Sequence, residues 1–191
     1  MSKPVNVPLL DLKIQYAALR KEIEPAVLAA MEQAAYIMGP DIAALEKEVA
    51  AYLNCKHAIG CANGSDALVL ALMALGIKPG DEVICPSYTF FATGGAVARV
   101  NAKPVYVDID PVTYNVCPKH LREVAKKCTN LKAIIPVHLY GQAADMDGIL
   151  AVAREFNVPV IEDSAQAIGT KDNTGAFVGT RGTIATWSFF P

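Results

Sequence analysis

The alternation of apolar and polar positions divides the chain into a helical first part and a longer second part. In the first part, apolar residues such as Leu19 and Ile23 recur at the spacing of an amphipathic helix. The Gly-Pro pair at 39–40 interrupts this pattern, and we expect a second helix to open on Asp41 as its N-cap. We therefore predict an N-terminal helical segment over residues 1–56 that packs on the following domain.

From residue 57 onward, short apolar runs typical of strands alternate with helical runs. The predicted strands are HAIGCA (57–62), VICPSY (83–88), KPVYVDI (103–109), AIIPVHL (133–139) and VPVIED (158–163). The predicted helices cover 65–76, 90–100, 118–128 and 145–156. This alternation indicates an α/β fold, with a mostly parallel sheet between two layers of helices. Residues 57–191 thus form one predicted α/β domain.

Composition removes several classes of function. A hydrophobic fraction of 53% with 19% charged residues is typical of a globular chain. The net charge of −2 gives no basic footprint for nucleic acid or for a membrane surface. The N-terminus lacks the apolar run of a signal peptide, and no uncharged stretch is long enough to span a membrane. The five cysteines form no CxxC pair, so we expect reduced thiols, no metal site and a cytoplasmic protein.

The run CANGSDAL, residues 61–68, brings a predicted strand directly into a helix. Gly64 permits a tight turn, and Ser65 can cap the helix and offer a hydroxyl group. The free N–H groups of the first helical turn favour an anion, so this run has the outline of a phosphate site. Its other interpretation is a plain turn with an N-cap. The chain lacks GxGxxG and GxxxxGK[ST], which disfavours Rossmann and P-loop sites.

Two further runs follow predicted strands, where α/β sheets bind their ligands. VIEDSAQAIG places Asp163 at a strand end, where a half-buried carboxylate needs a cationic partner, and Gln166 lies about one helical turn later. Asp163 or Ser164 could instead cap a helix. SYTFFAT places aromatic rings at the mouth of another strand, where one ring could stack on a planar ligand or belong to the core. Together the three runs describe a site for pyridoxal 5′-phosphate (PLP), which needs a phosphate site, a stacking ring and a carboxylate for its ring nitrogen.

The ordered blocks PLLDLKIQY, NGSDALVLALMALGIKPGDEVI, PSYTFFATGGAV and VIEDSAQAIGT identify the chain as resembling the DegT/DnrJ/EryC1/StrS family of PLP-dependent sugar aminotransferases. This family has the aspartate-aminotransferase fold, fold type I. The resemblance implies that residues 57–191 are an incomplete PLP-binding large domain and that the smaller C-terminal domain of the family is absent from this chain.

The resemblance also implies roles for individual residues. Ser65 matches the family's phosphate-binding hydroxyl, helped by the backbone of Gly64 and Asp66, and Ser188 matches a second phosphate ligand. The remaining matches are Phe90 with the ring that stacks on the pyridine, Asp163 with the carboxylate on the ring nitrogen, and Gln166 with the residue near the phenolic oxygen.

In the family, the run Ser-Phe-Phe-Pro continues to the lysine that bonds covalently to PLP. That lysine is expected at position 193, two residues beyond Pro191, so we expect the chain to be a cut through a longer protein. By resemblance, the complete protein transfers an amino group from L-glutamate to a nucleotide-linked ketosugar, such as UDP-3-keto-N-acetylglucosaminuronate, in surface-polysaccharide biosynthesis. It is also expected to be a homodimer with shared active sites. Two alternatives stay open: a PLP-dependent sugar dehydratase with histidine at position 193, and a catalytically incompetent fragment.

Three other features have open interpretations. His138 lies at a strand end, where it could contact a ligand, and Arg181 could lie near the site or face solvent. Asp108 and Asp110 in VDIDP are better explained by turn chemistry than by a metal.

Overall fold

The computed structural model describes residues 7–8 and 10–190. Within them the chain divides into two compact units, which meet in sequence between Glu48 and Val49. No helix in the described ranges is both long enough and apolar enough to cross a membrane. The predicted packing of residues 1–56 on the following domain stays a prediction.

The first unit contains helix α1, Leu12–Gln33, and most of helix α2, Pro40–Tyr52. Helix α1 begins after Asp11, whose carboxylate accepts the N–H groups of residues 13 and 14. The predicted N-cap at Asp41 is wrong, because α2 already begins at Pro40. Proline suits the first helical position. Asp41 then lies in the first turn, where its negative charge interacts favourably with the helix dipole.

The second unit confirms the predicted alternation of strands and helices. Its helices are α3 (Gly64–Ala74), α4 (Ala92–Arg99), α5 (Pro118–Ala125) and α6 (Met146–Glu155), with a short 3-10 helix at Leu139–Gly141. Its strands are β1 (Glu82–Pro86), β2 (Lys103–Val107), β3 (Leu131–Ile134), β4 (Ile161–Asp163) and β5 (Ile184–Thr186).

All strand pairs in this unit are parallel. Strands β2, β1 and β3 pair in that order, and β4 pairs with β5. Two parallel bridges, Ile134 to Val160 and Val137 to Asp163, join the two groups. Strand β3 ends before its predicted limit because Pro136 has no N–H to donate, although its carbonyl accepts the N–H of Asp163. The carboxyl ends of all five strands therefore meet along one edge.

Successive residues of β1 show that helices cover both faces of the sheet. Ile84 belongs to a core that contains residues of α5 and α6, such as Leu121 and Ile149. Its neighbours Val83 and Cys85 belong to a second core, formed with α3 and α4. Because side chains alternate across a strand, these cores lie on opposite faces. The predicted α/β/α layering is confirmed.

The predicted strand over residues 57–62 is wrong, because the structure has no regular element there. Ile59 in its centre is exposed to solvent. A short apolar run predicts a strand only when a neighbouring strand is available to pair with it, and none of the described strands pairs with this segment.

Candidate active site

Asp163 is the last residue of β4 and lies at the carboxyl edge of the sheet, as predicted. Its side chain is only 5% exposed. The Oδ2 atom accepts a hydrogen bond of 2.8 Å from the hydroxyl of Thr93, in the first turn of α4. Within the part of the chain that the structure describes, the Oδ1 atom accepts only a long bond of 3.3 Å, from the N–H of Ala165. One oxygen of this carboxylate is thus held firmly, whereas the other can take a stronger donor.

The environment of Asp163 makes its negative charge costly. Burial raises the pKa of this carboxyl, and the hydrogen bonds from Thr93 and Ala165 only partly oppose that effect. A carboxylate in such a place gains most from a cationic partner. No helix follows β4 directly, so the alternative role of Asp163 or Ser164 as a helix cap is not what the structure shows.

The neighbouring carboxylate, Glu162, points to the other face of β4 and has a structural role. It is fully buried and accepts four hydrogen bonds. Its Oε2 atom binds Nε2 of His138 at 2.9 Å and the N–H of Gly179 at 2.8 Å. Its Oε1 atom accepts the N–H groups of Arg181 and Gly182. Glu162 therefore ties the loop before β5 to β4.

His138 is buried and makes its side-chain hydrogen bonds within the protein. Its Nδ1 atom accepts the N–H of Ala144 at 3.0 Å, so the ring proton lies on Nε2 and is donated to Glu162. Burial alone would raise the pKa of Glu162, but the hydrogen bonds from His138, Gly182 and Gly179 outweigh it and hold the pKa below its usual value. Both ring nitrogens of His138 are thus committed within the protein.

The start of α3 differs in detail from the predicted phosphate site. Asn63, not Ser65, caps the helix, and its Oδ1 atom accepts the N–H of Asp66 at 2.9 Å. The predicted anion contact through the Asp66 backbone therefore competes with this cap. The Asp66 carboxylate pairs with Arg99 at 2.8 Å. Gly64 and Ser65 occupy the first two helical positions, whose N–H groups point out of the helix and favour an anion.

Gly64 and Ser188 approach each other closely, although they lie far apart in the sequence. A Cβ atom added to Gly64 would lie 2.8 Å from Cβ of Ser188 and 3.1 Å from its Oγ. Only a residue without a side chain allows this approach. The structure therefore brings Ser188 to the N-terminus of α3, where the predicted phosphate ligands Ser65 and Ser188 can act together.

Phe90 precedes α4 and is 73% exposed, so its ring is available to a ligand and does not belong to the core. Its carbonyl accepts the N–H of Thr93, the residue that binds Asp163. The ring predicted to stack and the carboxylate of Asp163 are thus separated by one turn of backbone and one side-chain hydrogen bond.

Gln166 follows Asp163 closely and is fixed by a backbone contact. Its Oε1 atom accepts the N–H of Tyr140 at 2.8 Å, which leaves the amide nitrogen as the group that can donate to a ligand. The Tyr140 hydroxyl lies 3.0 Å from that of Tyr88. Both tyrosines follow strands of the sheet, and both are exposed.

The residues at the carboxyl edge of the sheet match the chemical groups of PLP. Asp163 and Thr186 are register partners in β4 and β5, and Thr186 lies two residues before Ser188. One edge of the sheet therefore carries a buried carboxylate with a weakly bonded oxygen, an exposed ring, and a helix terminus against which Ser188 is closely packed. The residue set fits a flat ring with a basic nitrogen and a phosphate.

Two other open features now have structural explanations. Arg181 forms ion pairs with Asp147 and Asp172, the latter at 2.7 Å, and so joins two segments of the chain. Asp110 accepts the N–H groups of residues 112 and 113, which confirms the turn interpretation of VDIDP.

The sequence alone does not assign Thr93, Tyr88 or Tyr140 to the site. Thr93 stands in the run SYTFFAT, but its partner Asp163 lies seventy residues away. Tyr88 and Tyr140 each follow a strand, and the rule that α/β sheets bind ligands at the carboxyl edge is the signal that could have found them.

The sequence matches the model of the DegT/DnrJ/EryC1/StrS aminotransferase family over residues 17–191. It is 54% identical over 98% of its length to the "Pleiotropic regulatory protein" of Geobacillus stearothermophilus, and covers 50% of that protein. It is 46% identical over 97% of its length to the UDP-2-acetamido-2-deoxy-3-oxo-D-glucuronate aminotransferase of Pseudomonas aeruginosa, and covers 51% of that protein.

A solved structure of this family has the same fold as the chain. The fold matches the crystal structure of a DegT DnrJ EryC1 StrS aminotransferase from Brucella abortus with a TM-score of 0.91 and 40% identity, over 97% of this chain and 51% of that one. The chain thus spans about half the length of the relatives it matches. Aminotransferases of this family depend on PLP. The chain belongs to the DegT/DnrJ/EryC1/StrS aminotransferase family.

Proposed function

We propose that the complete protein transfers an amino group from L-glutamate to a keto group on a UDP-linked sugar, with PLP bound by the residues described above. The observation that carries this proposal is the buried carboxylate of Asp163, with one oxygen weakly bonded, at the sheet edge that also holds Gly64 and Ser188. The name of the Pseudomonas aeruginosa relative supports a 3-keto-N-acetylglucosaminuronate as the sugar.

When bound, PLP supplies an electron sink for breaking and making bonds at the carbon that carries the amino group. Asp163 would hold the proton on the ring nitrogen, because a buried anion strongly favours a cationic neighbour. Phe90 would stack on the ring, and the Gln166 amide would donate to the phenolic oxygen. Ser65, Ser188 and the N–H groups of Gly64 and Ser65 would hold the phosphate.

The lysine expected at position 193 belongs to this proposal, as does a homodimer with shared active sites. All five cysteines are free thiols, which supports the cytoplasm as the proposed compartment. Light scattering on the full-length protein tests the dimer, and a monomer that aminates its substrate would contradict shared sites.

The reaction is tested with full-length protein, PLP, L-glutamate and UDP-3-keto-N-acetylglucosaminuronate. Mass spectrometry should detect equal amounts of the 3-amino sugar nucleotide and 2-oxoglutarate. The Asp163→Asn variant should form neither at a comparable rate, because a neutral amide cannot hold the ring proton. A wild-type protein that binds PLP but aminates no ketosugar would contradict the proposed reaction.

A second experiment separates the aminotransferase from the dehydratase alternative. Borohydride reduction of the PLP-loaded protein should increase its intact mass by one reduced cofactor if a lysine holds PLP covalently. A protein that keeps PLP but gains no mass would support the dehydratase with histidine at position 193.

A further inference from the structure

Thr93 is an unusual residue for its place in the fold. It lies in the first turn of α4, whose other residues, apart from Arg99, are alanine, glycine and valine, and it is completely buried. A buried hydroxyl costs free energy unless it is hydrogen-bonded. Here the hydroxyl has two partners, Oδ2 of Asp163 at 2.8 Å and the hydroxyl of Thr89 at 3.0 Å.

The direction of these two bonds follows from the donors available. An ionised Asp163 can only accept, so the single proton of the Thr93 hydroxyl is donated to it. Thr93 must then accept from Thr89, one helical turn earlier in the sequence. The three side chains form a short line of hydrogen bonds that runs from Thr89 through Thr93 to the carboxylate.

This line fixes the orientation of the carboxylate. With Oδ2 bound to Thr93, Oδ1 is the oxygen with spare hydrogen-bonding capacity, since its one hydrogen bond from the described residues is the 3.3 Å bond from Ala165. A carboxylate free to rotate about its side-chain torsions would present either oxygen, or neither, to a ligand. Hydrogen bonds to charged groups are stronger than neutral ones, so Thr93 can hold one rotamer.

We propose that Thr93, supported by Thr89, is a positioning residue that orients the carboxylate of Asp163 so that Oδ1 meets the ring nitrogen of PLP. This inference rests on the proposed function, because it assumes that Asp163 binds the cofactor. Among residues 7–8 and 10–190, the Thr93 hydroxyl forms hydrogen bonds only with Asp163 and Thr89, so Thr93 acts through the carboxylate.

The test compares three variants of the full-length protein. Thr93→Val keeps the branched shape but removes the donor, Thr93→Ser keeps the donor, and Thr89→Val removes the second link. PLP labelled with ¹⁵N in its ring is the probe. Equilibrium dialysis gives its dissociation constant, and the ¹⁵N chemical shift reports whether the ring nitrogen is protonated.

We expect Thr93→Val to weaken PLP binding by about ten- to a hundredfold, the equivalent of one lost hydrogen bond to a charge. Its ring nitrogen should lose the proton at a lower pH than in wild type. Thr93→Ser should restore both properties, and Thr89→Val should show a smaller change in the same direction. A residue needed only for packing would instead show a loss in Thr93→Ser, which lacks the methyl group, and an unchanged ¹⁵N titration.

A second readout needs no cofactor. In the cofactor-free protein, ¹³C NMR of the Asp163 carboxyl should show a higher pKa in Thr93→Val than in wild type, because a bond that stabilises the charge is gone. Unchanged PLP affinity and ¹⁵N titration in a folded Thr93→Val protein would overturn the inference while the proposed reaction stands. A wild-type protein that binds PLP but transfers no amino group would contradict only the reaction. A wild-type protein that binds no PLP would overturn both.

Discussion

Gly64, at the start of α3, lies so close to Ser188, beyond the end of β5, that a Cβ on Gly64 would come within 2.8 Å of Cβ of Ser188. The two residues are brought together by the contacts of α3 with β4 and β5. The helix terminus and the serine hydroxyl thus form one surface. The absence of a side chain at position 64 is what allows this close approach.

We expect Gly64→Ala to weaken PLP binding about tenfold or more, because the new methyl group must displace Ser188, a predicted phosphate ligand. Gly76→Ala is the matched control beyond the other end of α3. A Cβ there meets no atom within 4 Å, and the positive φ of +72° alone costs about 1 kcal/mol of stability. Equilibrium dialysis with PLP measures both variants. Equal losses of PLP affinity in the two variants would contradict the role of Gly64.

Phe90 and its neighbour Phe91 give a second matched pair. Both rings are exposed, at 73% and 85%, so removing either should change the free energy of unfolding by less than about 1 kcal/mol. We expect Phe90→Leu to weaken PLP binding severalfold, since a stacked aromatic pair contributes about 1 kcal/mol beyond area burial. Phe91→Leu should leave PLP affinity unchanged. A result in the opposite order would show that Phe91 is the stacking ring.

The sequence predicted the layered fold because β1 through β4 and their helices carry periodic patterns of adequate length. It failed at residues 57–62, where none of the described strands pairs with the apolar run. It also misplaced the α3 cap by two residues, since Asn63, Gly64 and Ser65 are all turn formers.

The different roles of Glu162 and Asp163 could not be predicted from the sequence. Strand alternation places the two carboxylates on opposite faces. Contacts with distant residues decide which carboxylate faces the site. The N–H groups of residues 179, 181 and 182 bind Glu162, whereas the hydroxyl of Thr93 binds Asp163. These contacts join residues separated by 17 to 70 positions. Local patterns cannot report such pairings.

Glu162→Gln tests the structural half of this pair. The glutamine amide can no longer accept all four hydrogen bonds. Both oxygens of Glu162 accept from donors, so the NH₂ group that replaces either oxygen must face a donor. His138 cannot adapt, because moving its proton to Nδ1 would oppose the N–H of Ala144. We expect a loss of about 3 kcal/mol in the free energy of unfolding, measured by urea denaturation at pH 7.

Glu155→Gln is the control for this substitution. Glu155 binds Arg122 at 2.7 Å on the surface, with both side chains about two-fifths exposed, so its loss should cost less than about 1 kcal/mol. The pKa of Glu162 is lowered in the folded protein. Its contribution is therefore full above the unfolded pKa of about 4.3 and is lost as the pH falls. A Glu162→Gln protein as stable as Glu155→Gln would contradict the structural role.

Asp163→Asn should have the opposite effect on the stability of the cofactor-free protein. The pKa of Asp163 is raised by burial, so the folded protein holds this proton more tightly than the unfolded chain does. The stability of wild type relative to Asp163→Asn should therefore fall as the pH rises from the unfolded pKa of about 3.9 through the higher folded pKa, and should stay low above it.

The neutral asparagine fits the same contacts. Its amide nitrogen can donate to Thr93, which then donates to Thr89, while its oxygen accepts the N–H of Ala165. Urea denaturation of cofactor-free wild type and Asp163→Asn at pH 4, 6 and 8 measures the difference. We expect Asp163→Asn to be at least as stable as wild type at pH 8, and to have lost amino transfer. Replacing the structural carboxylate Glu162 is expected to destabilise the fold. An Asp163→Asn variant that gains stability while losing activity would therefore identify Asp163 as a residue that serves the cofactor. A large loss of stability at pH 8 would instead assign Asp163 a structural role.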